Sequence, residues 1–169
     1  LKWANKKNKA NIRTLGVIYE NSEFGKHAAE EAKKAAAAGG FKVITDVPFT
    51  PGATNLNSEV QTLKKANPDA VFGAVLGADY SLWVRTMKQA NFLPRIVINY
   101  CSGYQDPVIT KQLGDDANYF LGSSGYSPQF ASLMPEVAAV EKIFKTKTNG
   151  VPFDGNSIQE AVAMLVLAQ

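Results

Sequence analysis

The chain has 169 residues, 46% of them apolar and 20% charged, which is room for one domain or one lobe with a core burying roughly 70% of the unfolded surface. A net charge of +3, with lysines scattered apart from Lys6, Lys7 and Lys9, disfavours a nucleic-acid surface, which needs clustered Arg and interleaved aromatics. One cysteine (Cys101) and one histidine (His27) allow no internal disulfide and make a poor metal set, and no run of 18 apolar residues is present to span a bilayer.

The elements alternate along the chain. A helix remnant covers about residues 1–9. A strand at 13–19 runs through a polar turn, Glu20 to Glu23, and the pair Phe24-Gly25 into a helix at 25–38, closed by Gly39-Gly40. His27 falls in the first turn of that Lys- and Glu-rich helix, where a surface position is expected. A strand at 41–47 leads into a long loop, Pro48 to Thr54. Asn55 or Asn57 caps the next helix, which stops near Pro68. The nearly continuous Ala, Val and Phe of 69–75 predict a strand buried on both faces. A helix at 79–91, a strand at 95–100, a short helix at 106–113 and a strand at 118–122 follow. The glycine-serine loop Gly122–Tyr126 precedes a helix at 134–148 and a last one from Asn156 or Ser157.

This order predicts an α/β fold: three layers, with an open, mostly parallel sheet and helices on both faces. Ligands in such sheets bind outside the carboxyl ends of the strands. Five loops meet there: Glu20–Phe24, Pro48–Thr54, Leu76–Tyr80, Tyr100–Tyr104 and Ser123–Ser127. They bring Phe24, Tyr80, Tyr100, Tyr104 and Tyr126 together with Asp79 and several Ser and Gly. Each ring either lines a pocket or packs its loop onto the sheet. An aromatic edge with few charges suits an uncharged or aromatic ligand, or a second protein surface.

Nucleotide and acyl-transfer chemistry are disfavoured. The first turn has only Gly25 where a dinucleotide site needs G-x-G-x-x-G, and no G-x-x-x-x-G-K-[ST] occurs. Ser102, Ser123 and Ser124 lie near strand ends, yet no G-x-S-x-G elbow is present and the sole histidine lies elsewhere. Cys101 follows a strand with no second His to activate it, so a small buried residue is expected. A small α/β enzyme is thus the weakest reading, and no cofactor is expected.

Three segments carry a family resemblance: GVIYENSEFGK at 16–26, PGATNLNSEVQTLKKANPDAVF at 51–72 and GADYSLWVRTMKQANF at 77–92. In order, they resemble the strand-turn, loop-helix and gate-helix segments of type I periplasmic binding proteins, in the branched-chain amino-acid (Leu/Ile/Val-binding) class of ABC-transporter receptors. The resemblance covers the whole chain and implies the second lobe of a two-lobed receptor. Residues 1–169 are then a single α/β lobe, cut at both ends from a protein whose full length carries a signal peptide. It implies a bacterial, periplasmic or extracytoplasmic receptor, not an enzyme. Such a receptor closes by a hinge on a small-molecule ligand, against a first lobe absent here, and delivers it to a membrane permease. A sensor domain of the same fold, serving a signalling receptor or a transcriptional regulator, is the alternative.

The expected ligand-binding residues are Phe24, Leu76, Gly77, Asp79, Tyr100, Ser102 and Tyr126, of which Phe24, Leu76 and Tyr100 fall on family site positions. Phe24 keeps the family's turn aromatic but not its hydroxyl. Leu76 stands where amino-acid binders place a Tyr, and Tyr100 where they place the carboxylate for the ligand ammonium. A buried ammonium needs an accepting partner. The expected ligand is a small organic molecule, amino-acid-like or, where the missing carboxylate decides, one without a free ammonium: an aromatic or aliphatic carboxylate, or an amide. Asp79 or Glu23 offers the alternative carboxylate, although both sit at helix starts where capping is the ordinary role.

Overall fold

A computed structural model describes residues 1–100, 107–118, 120–123, 126–151 and 153–167. In chain order it forms α1 (Lys2–Asn8), β1 (Thr14–Glu20), α2 (Glu23–Ala38), β2 (Lys42–Phe49), α3 (Asn57–Ala66), β3 (Ala70–Ala74), α4 (Gly77–Gln89) and β4 (Ile96–Asn99). There follow α5 (Pro107–Leu113), a 3-10 turn (Gly114–Ala117), β5 (Phe120–Gly122), α6 (Pro128–Leu133), α7 (Pro135–Lys147) and α8 (Gly155–Leu167). The five strands make one parallel sheet in the order β2-β1-β3-β4-β5. The α/β reading is thereby met.

Strand alternation divides the core into two faces. Ile18, Val71 and Val97 point to one side, where α3, α4 and α5 cover them with Leu63, Trp83, Met87 and Ile109. Leu15, Val17 and Ala70 point to the other, beneath Ala29 and Ala36 of α2. β3 is buried along nearly its whole length, as its apolar run predicts.

Several boundaries differ from the sequence reading, each for a local reason. β2 runs on through Pro48, which pairs with Tyr19. β2 is an edge strand, so a residue without an N–H loses no ladder bond on its open side. α2 starts two residues early because the Ser22 hydroxyl accepts the Gly25 N–H at 3.1 Å. α4 starts at Gly77 instead of 79, because glycine takes the left-handed φ of +51° that lets the chain leave β3 and turn at once into a helix. Asn55 caps α3 from outside it, accepting the Asn57 N–H at 3.1 Å. α8 starts at Gly155, ahead of Asn156 or Ser157, because Asp154 caps it by accepting the Ser157 N–H at 2.8 Å. α6 has no counterpart in the sequence reading.

Among the described residues the three C-terminal helices pack mainly on one another, α6 with α7 and α7 with α8, and none packs extensively on the sheet. Their contact is aromatic: Phe153 meets Tyr126 at 5.1 Å and Phe144 at 5.2 Å, edge to face.

At the amino edge, opposite the expected ligand edge, Asp69 ties three strands. Its Oδ2 accepts the N–H groups of Arg13 and Thr14 and the Thr14 hydroxyl, each at 2.9 Å, and Arg95 approaches Oδ1 at 3.2 Å. The Arg13 N–H above all, with the Thr14 donors and the Arg95 charge behind it, holds this carboxyl below the ordinary carboxylate range. A depressed folded-state pKa adds stability above the unfolded value of about 3.9, and that stability is lost as the pH falls through the lower folded value. Asp69→Asn should therefore cost about 1–3 kcal/mol at neutral pH and flatten the stability profile below roughly pH 4. Denaturant melts across that range test it; a variant as acid-sensitive as the parent would refute the assignment.

Candidate functional site

The carboxyl edge is assembled by ties between neighbouring strand ends. The Asn21 N–H donates to the Phe49 carbonyl at 2.7 Å, joining the β1 turn to the end of β2. The Gly52 N–H donates to Asp79 Oδ2 at 2.8 Å, joining the β2–α3 loop to the first turn of α4. The Tyr100 N–H donates to the Gly73 carbonyl at 2.7 Å, carrying the chain past the end of β4. The three loops around the middle of the sheet are thus fixed by backbone and carboxylate contacts before any ligand arrives.

Two of the expected rings meet. Phe24 and Tyr100 lie nearly parallel, with ring centroids 6.0 Å apart and planes 13° apart. Phe72 of β3 continues the stack from below, 6.5 Å from Tyr100. These rings and the α2 residues His27, Ala28 and Glu31 line a groove of about 420 Å³. Tyr100 leaves 47% of its surface exposed, so the ring pair borders solvent. A larger groove, about 710 Å³, lies on the same sheet face among Leu1, Trp3, Leu15, Phe41 and Ile98. It is almost wholly apolar and runs toward the amino ends of the strands, away from the polar turns.

The other expected residues divide. Leu76 is half-buried and Gly77 exposed, at the turn between β3 and α4. That turn is beside the Phe24–Tyr100 pair by strand order, since β3 lies between β1 and β4. Asp79 is only 9% exposed, and its Oδ2 is already engaged by Gly52; it acts first as a loop clamp. Tyr126 is buried against Phe130 and Phe153 in the helical cluster, not beside Phe24 and Tyr100. Burial first, and then the Glu141 carboxylate facing its hydroxyl, raises that phenol's pKa. Ser102, with Cys101, Tyr104 and Ser124, lies outside the described residues. Tyr80 is fully buried, edge-on to Trp83, so this loop ring packs the core. His27 is exposed, as its helix position predicts.

Sequence reasoning missed Phe72, placed in the buried stretch of β3 with no signal that its face of the sheet stays partly open, and Gly52, whose N–H ties Asp79. Among the described residues no group of three or more His, Cys, Asp or Glu is disposed to hold a metal, and no helix is long and apolar enough to cross a membrane.

Residues 1–169 match the model of a protein family described as periplasmic binding protein. A curated relative, the Leu/Ile/Val-binding protein homolog 8 of Brucella abortus, is 23% identical over 158 residues, 92% of this chain and 39% of the relative. Among solved structures, a fatty acid ABC transporter substrate-binding protein from Thermomonospora curvata superposes with a TM-score of 0.78 at 19% identity, over 94% of this chain and 40% of its own. The leucine-binding protein LivK of Thermotoga maritima gives 0.73 at 19% identity, over 88% and 41%. The chain thus spans about 40% of the length of these relatives. With the whole chain inside the family's model and a five-stranded parallel sheet that superposes on these receptors, it belongs to the periplasmic binding protein family.

Proposed function

We propose that this chain supplies the second lobe of an extracytoplasmic solute receptor of an ABC importer, and that its ligand is an aromatic or aliphatic carboxylate, or an amide, without a free ammonium. One observation carries the ligand class: the Phe24–Tyr100 pair, half-open to solvent, stands on the rim, with Leu76 and Tyr100 at the positions where an amino-acid binder needs polar partners. Asp79, the nearby buried carboxylate, already accepts a backbone N–H. A flat apolar platform favours a ring or a hydrocarbon chain. The fatty-acid title of one structural neighbour is compatible with the aliphatic form. The first lobe supplies the remaining contacts, and ligand drives closure only through its greater affinity for the closed state. The closed receptor then docks on its permease.

A thermal-shift panel on the full-length protein tests this, because a ligand that binds only the folded state raises the melting temperature. Benzoate-like or short aliphatic acids should shift it, and leucine should not. A shift with leucine alone would overturn the ligand class and keep the receptor. Phe24→Ala and Tyr100→Ala should each weaken binding of the shifting compound by about 2–4 kcal/mol, the cost of losing a buried aromatic contact. Unchanged affinity by calorimetry would reassign both rings to loop packing.

A further inference from the structure

Asn99, the last residue of β4, is fully buried. Its Oδ1 accepts the Val75 N–H at 3.2 Å and its Nδ2 donates to the Val75 carbonyl at 3.0 Å. Val75 is the first residue past the end of β3, is itself fully buried, and precedes Leu76. The β3–β4 ladder ends at the Gly73–Asn99 pair, so the adjoining strand does not extend to Val75. A carboxamide carries the donor and acceptor of a peptide group side by side. The Asn99 side chain therefore stands in for the missing strand and satisfies both main-chain groups of a residue that water does not reach. Space for it is left by Gly73: a Cβ there would lie 2.9 Å from Asn99 Oδ1 and 2.6 Å from the Trp83 ring.

We propose that Asn99 is the positioning residue of the ligand rim, holding the β3–α4 turn, Leu76–Gly77, in register with Tyr100. This rests on the reading of that rim as the ligand site. The geometry is direct, because Asn99 adjoins Tyr100 in sequence and Val75 adjoins Leu76. One amide thus joins the two segments on which ligand discrimination was placed. The turn that follows is sharp: Leu76 is extended, with φ −103° and ψ 155°, and Gly77 swings to φ +51°. A residue fixed on both backbone groups just before such a turn sets where the turn points. Asn99→Leu keeps the branching and the number of side-chain heavy atoms, is bulkier, and loses both bonds. Glutamine adds a methylene in a site with no spare room.

The test is amide hydrogen exchange on the full-length protein, with Asn99→Leu and Asn99→Ser. Serine keeps a polar group but falls short of Val75, and it serves if the leucine variant does not fold. The Val75 amide, which Asn99 holds directly, and the Tyr80 amide, which closes the first turn of α4 on the Leu76 carbonyl, should exchange at least about tenfold faster, the consequence of losing two buried hydrogen bonds. Those of Val17 and Ile18 in β1 should be unchanged. Equal acceleration in β1 would make Asn99 a general stability residue and overturn the proposal, as would no change at Val75 and Tyr80. Benzoate and isovalerate serve as binding probes on the same samples. Whichever shifts the parent should bind the variants at least about tenfold more weakly, and unchanged affinity beside a loosened turn would also overturn the positioning role. If neither probe shifts the parent, that result counts against the proposed ligand class, and the exchange pattern still decides whether Asn99 holds the turn.

Discussion

Gly25→Ala should destabilise the fold by about 3 kcal/mol or more, at the upper end of what overpacking costs. A Cβ at this position would lie 2.0 Å from the Glu20 carbonyl oxygen and 2.8 Å from Glu20 Cγ. The obstacle is backbone that is held elsewhere. The Glu20 carboxylate accepts the Ser22 hydroxyl at 2.6 Å, and the next residue, Asn21, is bonded to the Phe49 carbonyl. The turn cannot retreat without breaking the ties that set Phe24 on the rim. For a chain of this size the loss corresponds to a fall in melting temperature of roughly 6–12 °C. Gly40→Ala is the control. That residue sits at φ +80° with open space where a Cβ would go, so it should lose only the left-handed penalty of about 1–2 kcal/mol. Denaturant midpoints compare the two; a Gly25 variant no worse than the Gly40 variant would show that the β1–α2 turn relaxes freely.

Trp83→Ala should cost about 3–5 kcal/mol. Trp83 is among the largest fully buried side chains and meets Tyr80 edge-on at 6.1 Å and Phe120 of β5 at 6.2 Å. Its ring also fills the space above Gly73, so it spans from β3 to the far strand of the sheet. The indole Nε1 is buried without a hydrogen-bond partner among the described residues. Trp83→Phe removes that unsatisfied donor while keeping much of the apolar volume, and should cost no more than about 1–2 kcal/mol. A phenylalanine variant as unstable as the alanine one would mean that the indole nitrogen is satisfied after all.

The strand-helix alternation was legible because burial imposes its period on the sequence. Ala70 to Ala74 must be apolar on both sides, and α2 must carry an alanine face, whatever else the chain does. Helix ends were less legible. Ser22, Asn55 and Asp154 all cap by side-chain acceptance, but several Ser, Asn and Asp residues stand near each start and only the backbone path chooses among them. The end of β2 was not legible, and the loop is expected from Pro48, because edge and central strands look alike in sequence. α6 was missed because its six residues are too few to show a period.

For the candidate site, Phe24, Leu76, Gly77 and Tyr100 were legible as rim residues because each follows the carboxyl end of a strand, and the family resemblance falls on Phe24, Leu76 and Tyr100. The sequence also argued against nucleotide chemistry, because the first turn has no phosphate-binding glycine loop. Tertiary structure decided which of these groups are available. Asp79 is engaged by Gly52, Tyr80 is turned into the core, Tyr126 is packed among the last helices, and Phe72 joins the aromatic stack from an otherwise buried strand. The reason is physical: which strand end a loop follows depends on element order along the chain, whereas a side chain's exposure and hydrogen-bond partner depend on residues that are distant in sequence and meet only when the sheet is assembled.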